Sequence, residues 1–207
     1  MNRPEWHTPK GQRRRDQLLK AALDVVAERG YAGATQRSIA TQAGVSPAST
    51  HYFFSSIDEL TREAAAEHLK GRAEVYEAII DAFLAEERSP ADGIKEAARV
   101  LSSVAVDMRL AQFEIYLNAR RHPELQETVT ECLGRFEAVG AAVLRAAGVP
   151  DPERWGKAVL ALGDGFALQR VAGVNDDEAG FEEALTALVI AGRMDKQERA
   201  TWDKRLR

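Results

Sequence analysis

Thr35-Gln-Arg-Ser-Ile-Ala-Thr-Gln-Ala-Gly-Val-Ser-Pro-Ala-Ser-Thr-His-Tyr-Phe-Phe54 is the stretch that decides the fold. Thr35 is suited to cap a short helix through Ala43, with Ile39, Ala40 and Ala43 on one side. Gly44-Val45 then breaks the helix. Ser46 caps a second short helix, with Pro47 at its first position, ending near Phe54. Two short helices about a Gly-containing turn fit a helix-turn-helix. The outer positions of the second helix are read as Pro47, Ala48, Ser49, Thr50 and His51, all small or polar. A helix entering a major groove cannot carry bulky apolar groups outward. Ser and Thr hydroxyls can bond base edges or phosphates, and an Ala or Thr methyl can meet a thymine methyl. Both helix N-termini are expected to offer backbone N–H groups to phosphate. The pattern alone also fits a plain αα-hairpin.

Outward from this stretch the periodicity is helical everywhere. A first helix is expected over 11–29, with Leu19, Ala22, Leu23 and Val26 as its apolar stripe and Gly30 ending it. Ser56 with Glu59 forms a capping box that opens a long helix to about Glu87. Leu60, Ala64, Val75, Ile79 and Leu69, Tyr76, Ile80, Phe83 mark two adjoining apolar faces on it. Gly71 inside it marks either a bend or a tolerated small residue. Further helices are expected from Ser89-Pro90 to about Val106, and over 109–121, 124–147, 152–172 and 178–192. The charged tail, 193–207, is expected to fray, with Trp202 as the residue that could dock it. No alternating strand pattern occurs. The expected fold is all-α, with about nine helices: an N-terminal three-helix module over 10–60 and a larger bundle over 61–207.

Composition bounds the chemistry. The 207 residues hold one cysteine, Cys132, which excludes an internal disulfide or a cysteine metal cluster and reads as a small core hydrophobe. His7, His51, His68 and His122 lack metal-ligand spacing, so neither metal nor cofactor is expected. His68 lies on an apolar face and reads as a satisfied core or interface histidine. Glu114, His122 and Glu124 read as charged surface and cap rather than an acid–base set. No phosphate loop, dinucleotide fingerprint or nucleophile motif appears. The first twelve residues have no apolar run. The longest uncharged apolar stretch, Ala184 to Gly192, is far short of the ~20 residues a membrane span needs. A soluble cytoplasmic protein is expected.

Net charge is −4, which taken whole speaks against nucleic acid. Up to Ile57, however, eight basic residues face four acidic ones, a balance of +4; the remainder holds 20 basic and 28 acidic residues, −8. A basic head on an acidic bundle orients the head toward phosphate. Lys10, Arg13, Arg14 and Arg15 read either as an arm along DNA or as a solvated tail.

Leu18-Leu-Lys-Ala-Ala-Leu-Asp-Val-Val-Ala-Glu-Arg-Gly30, then Thr35 to Ser46, then Tyr52-Phe-Phe-Ser-Ser-Ile-Asp-Glu-Leu60, resembles the N-terminal domain of the tetracycline-repressor (TetR) family. A fainter likeness lies at Asn118-Ala-Arg-Arg-His-Pro-Glu-Leu125. The resemblance implies a phosphate contact at Thr35 and a phosphate or base contact from Arg37. It places Ser46, Pro47, Ala48 and Ser49 at the groove-facing end of the recognition helix. It puts phosphate contacts at His51, where the family usually has Tyr, and at Tyr52. Arg14 joins this DNA-binding set. The family's usual Lys after the recognition helix is Ile57 here, which removes one phosphate contact.

The resemblance also implies that the bundle binds an effector and dimerises. Met108, Gln112, Phe113, Tyr116, Phe136 and Phe166 are the expected pocket residues, with Asn118 and Trp155 nearby in kind. Leu162, Phe166, Leu185, Leu188 and Val189 are the expected dimer interface, and Leu160, Gly163 and Ala167 accompany them. The function implied is a homodimeric repressor on a palindromic double-stranded DNA operator, its two heads roughly 34–36 Å apart. A small-molecule effector would release it by acting through the long fourth helix. Two other readings are an all-helical enzyme and a helical adaptor, each with an incidental helix-turn-helix. The lack of catalytic spacing opposes the first, and the polar outer face of 46–51 opposes the second.

Overall fold

The computed structural model describes residues 8–86, 89–174 and 178–206. Ten α-helices account for nearly all of them: α1 (Pro9–Arg29), α2 (Gln36–Gln42), α3 (Pro47–Phe53), α4 (Ile57–Ala85), α5 (Pro90–Ser102), α6 (Val106–Ala119), α7 (Pro123–Ala146), α8 (Pro152–Val171), α9 (Glu178–Arg193) and α10 (Lys196–Arg205). The all-α expectation holds, with one helix more than expected. The extra helix is α10, in the tail expected to fray. Asp195 caps it through the N–H groups of Gln197 and Glu198, and the Glu198 carboxylate reaches back to the Asp195 N–H. Arg199 ties it down by donating to the Met194 carbonyl at 3.1 Å. Trp202 does not dock it: the ring is 48% exposed, with its own Arg205 guanidinium 5.5 Å away.

The chain divides into two compact units. Unit 1 comprises residues 1–72 and 105–132, and unit 2 comprises 73–104 and 133–207. In unit 1 the core is apolar and contributed by every helix of the head. Leu18, Leu19, Ala22 and Val25 of α1, Ile39 of α2, Phe53 and Phe54, and Leu60 and Ala64 of α4 are all buried together. Each large side chain so buried contributes about 1.5–3 kcal/mol. Ile57 packs against the same cluster, so the residue that replaces a family Lys serves the head's interior. Gly71 leaves α4 unbroken and has nothing within 4 Å of an added Cβ, so it is a tolerated small residue.

The turn between α2 and α3 follows from one residue. Gly44 has φ +63°, a left-handed conformation that costs other residues energy. It lets Val45 N–H close on the Ala40 carbonyl at 2.9 Å, satisfying the end of α2 while redirecting the chain into α3.

In unit 2, α5, α8 and α9 pack on one another and on the C-terminal part of α7. Ile94, Val143, Leu144, Val159, Leu185 and Val189 form the core. At the α7–α8 crossing, a Cβ on Gly156 would stand 2.5 Å from the Glu137 carbonyl oxygen. Only glycine allows the two backbones that close.

Candidate nucleic-acid interface

Two helix caps set the reading surface. At α2 the Thr35 hydroxyl accepts from the Ser38 N–H (3.1 Å), while Ser38 Oγ accepts from the Thr35 N–H (2.9 Å). The Thr35 hydroxyl also donates to Ser38 Oγ at 3.0 Å. A Thr35 phosphate contact therefore requires rotation away from Ser38. At α3 Ser46 accepts from the Ser49 N–H (3.3 Å), and the two serine hydroxyls stand 3.1 Å apart. The caps hold both short helices in place where length alone would not.

The face of α3 differs from the expectation at one position. Pro47, Ala48, His51 and Tyr52 are exposed and Ser49 is half-buried, but Thr50 is only 1% exposed. Thr50 therefore faces the head's core, not the groove. The reason is helical phase: Thr50 is three residues before Phe53 and shares its inward side.

Lys10 and Arg13 to Arg15 are not an arm. They lie within α1, which begins at Pro9 on a Thr8 cap. Arg15 turns inward to Glu63 and to Glu67 (3.1 Å) of α4, with its guanidinium 5.5 Å from the Phe54 ring. Arg13 and Lys10 are exposed and Arg14 is half-buried. Lys10, Gly11 and Arg14 line, with Ser46, Ala48, Ser49 and Tyr52, an open groove of about 570 Å³ between α1 and α3. Arg37 on α2 is exposed.

Some contacts near the reading surface have no sequence signal. Gln36 Nε2 lies 3.3 Å from His51 Nδ1, joining residues fifteen apart. Tyr31 anchors the α1–α2 connection: its N–H donates to Glu114 of α6 (3.3 Å), its hydroxyl meets Thr61 (2.9 Å), and its ring lies 4.7 Å from that of His122. Glu114 and His122, expected as charged surface and cap, instead hold Tyr31 from α6 and from the turn that follows it. Glu124's side chain and His7 lie outside the described residues.

The expected effector residues fall in both units. In unit 1, Gln112 is 1% exposed; its amide donates to the Tyr116 hydroxyl (2.7 Å) and its oxygen accepts from Arg109 (3.4 Å). Phe113 stands edge-on to Tyr116, Asn118 donates to the Glu114 carbonyl, and Met108 is 45% exposed. In unit 2, Phe136 packs on Tyr76 and Phe166 on Phe181, while Trp155 packs against the unit 2 core.

His68 meets its expected satisfied state only in part, through a hydrogen bond to the Met108 backbone. It is buried, and its Nε2 has no hydrogen-bond partner among the described residues. Burial, then the neighbouring Arg72, with Arg109 adding a smaller push, lowers its pKa to about 4, against a raising contribution from the Met108 backbone. It is neutral at pH 7.

Of the expected interface residues, Leu185 and Val189 are instead interior to the protomer, at 0% and 5% exposure. Leu162 and Leu188 are half-buried against the same core. The periodicity that marks a second apolar face is carried by others: Ala161, Gly165 and Leu168 on α8, and Ala187 and Ile190 on α9, are exposed. Cys132 is buried, as expected.

Comparison with known proteins settles the class. Residues 18–64 match the family described as bacterial regulatory proteins, tetR family, and residues 85–191 match the tetracyclin repressor-like C-terminal domain. The chain belongs to the TetR family of helix-turn-helix transcriptional regulators. It is 29% identical over 171 residues to the nicotine-responsive transcriptional repressor HdnoR of Paenarthrobacter nicotinovorans, covering 79% of this chain and 86% of that one. It is 28% identical to an HTH-type transcriptional regulator of Mycobacterium tuberculosis, over 87% of this chain and 97% of that one. Among solved structures, the multidrug binding protein EbrR complexed with imidazole superposes with a TM-score of 0.64 at 30% identity, over 84% of this chain and 94% of that one. A TetR-family regulator from Mesorhizobium loti shares the fold at a TM-score of 0.73 and 23% identity, over 89% and 96%. The chain is a regulator, not an enzyme. Regulators of this family bind DNA operators, act as dimers and bind small-molecule effectors. No helix among the described residues is long and apolar enough to cross a membrane.

Proposed function

We propose that this chain is a cytoplasmic homodimeric repressor that reads its operator with the exposed face of α3 and the first turns of α1. The observation that carries this is the shared groove: Lys10 and Arg14 stand on one wall, and Ser46, Ala48, Ser49 and Tyr52 on the other. Cations there attract phosphate, and small polar groups admit base edges. Arg37 and His51 add backbone contacts from either side, and Pro47 keeps the tip of α3 free of bulk. The divided charge, a basic head before Ile57 and an acidic remainder, orients the approach.

Dimerisation uses the exposed small-apolar faces of α8 and α9, centred on Leu168 and Ile190. The effector meets the polar–aromatic run Gln112, Phe113 and Tyr116 on α6. HdnoR's nicotine and EbrR's imidazole differ in chemistry, so neither is carried over as this chain's effector.

The test is a duplex selected from a random-sequence pool by the full-length protein, with affinity measured across a salt series. A saturable complex whose affinity falls steeply with salt supports the reading. Absence of any retained duplex at low salt overturns it. Ala48→Glu places a carboxylate against the phosphates and is expected to weaken binding at least about 100-fold, with the dimer's mass in solution unchanged.

A further inference from the structure

Gln36 belongs to α2 and His51 to α3, and their side chains form a direct hydrogen bond between the two helices, 3.3 Å from Nε2 to Nδ1. A carboxamide nitrogen only donates. Nδ1 of His51 must therefore accept, and the single proton of the neutral ring sits on Nε2. The two ring nitrogens point to different sides, so Nε2–H is directed away from Gln36. His51 is exposed and lies three and four residues after Ala48 and Pro47, on the same stripe of α3.

We propose that Gln36 is a positioning residue for operator binding: it fixes the His51 ring and tautomer so that Nε2–H donates to a backbone phosphate oxygen. This rests on the reading of the exposed α3 face as the DNA-facing one. The chemistry is a choice of sign. With the proton on Nε2 the ring offers a donor to an acceptor-only phosphate. With the proton on Nδ1 it would offer a lone pair to another lone pair, and the contact would repel. A neighbour that bonds one ring nitrogen of a working histidine, and so selects its tautomer, is a general device. Here it also spans the turn at Gly44, so the same bond holds the relative setting of α2 and α3.

The experiment has two arms on the full-length protein. Long-range ¹H–¹⁵N correlation spectra at pH 8 report the His51 tautomer without DNA. The wild type is expected to show the Nε2–H form. Gln36→Glu keeps the length but only accepts, and is expected to move the proton to Nδ1. A wild-type Nδ1–H form, or no change in Gln36→Glu, overturns the proposal. The second arm measures affinity for the duplex selected from a random pool. Gln36→Leu and His51→Phe are each expected to weaken binding about tenfold, and the double variant no more than His51→Phe alone. Equal weakening by Gln36→Leu in the His51→Phe background would make Gln36 a contact in its own right and overturn the positioning role. Failure to recover any duplex would sink the DNA-facing reading itself, while the spectra would still decide the tautomer.

Discussion

The two units bury different chemistry. Among the described residues, all seven buried polar or charged side chains lie in unit 1: Thr50, Thr61, His68, Arg72, Arg109, Gln112 and Asn118. Among them unit 2 buries only apolar side chains, while large apolar groups are exposed in both units, Met108 and Leu117 in unit 1 and Leu168 and Ile190 in unit 2. A buried polar group is costly unless it is hydrogen-bonded, whereas an exposed apolar face is costly unless it is covered. Unit 1 thus keeps polar groups inside, in the unit that holds the reading head. Unit 2 has its cost on the surface, on the α8 and α9 faces proposed above to meet a second protomer. The difference lies in the interior, which holds polar groups in unit 1 and none among the described residues of unit 2.

The largest effect that would sharpen this contrast belongs to unit 2. Leu168→Glu with Ile190→Glu charges the exposed faces of α8 and α9 without touching the core residues Leu185 and Val189. Dimer dissociation is expected to strengthen by at least about 100-fold, because carboxylates cannot be buried unpaired at such a surface. Sedimentation equilibrium reads it. A dimer as tight as wild type would place the interface elsewhere.

His68 gives the next effect, and it separates the units by pH. Its folded pKa, about 4, is below its ordinary 6.5, so the unfolded chain binds the proton first as pH falls. Its contribution is fully present above 6.5 and is lost progressively between 6.5 and 4. The loss amounts to about 3 kcal/mol at one pKa unit per 1.36 kcal/mol. His68→Gln is expected to flatten the stability curve across that window, measured by urea unfolding at half-unit steps. In unit 2 the Arg135 guanidinium bonds Glu77 and lowers its pKa, so that carboxylate's contribution is lost only at lower pH, as it protonates. A wild-type curve already flat between 6.5 and 4 would remove His68 from the account.

Most of the fold was legible because helix ends announce themselves. Thr35, Ser46, Ser56, Ser89 and the glycines after α1, α2 and α7 act through local hydrogen bonds, and local causes leave local patterns. The tail was misread for the converse reason. The mean composition of 193–207 suggests fraying, while the Asp195–Glu198 box that holds α10 is a two-residue signal within it. In the site, α3 was legible in outline, but Thr50 was not. A short helix has no second turn to fix which residues face inward, so the phase had to come from Phe53 packing. Gln36 with His51, and Tyr31 with Glu114 and His122, were invisible because tertiary packing, not spacing, brings them together. The interface residues were half legible: the sequence marks two apolar faces on α8 and α9, but not which of them the protomer's own core takes.

Thr50 provides the smallest and cleanest test. Its hydroxyl is buried and has no hydrogen-bond partner among the described residues. If it served DNA, as an outer-face residue would, its removal would weaken binding. If it faces the core, the hydroxyl is only a desolvated group, and valine fills the same space without it. Thr50→Val is therefore expected to stabilise the protein by about 1 kcal/mol, with operator affinity unchanged within about twofold. Urea unfolding and duplex titration on the same preparation measure both. Lost stability would mean the hydroxyl is bonded after all. Lost affinity would return Thr50 to the groove, and the inward phase of α3 would have to be redrawn around it.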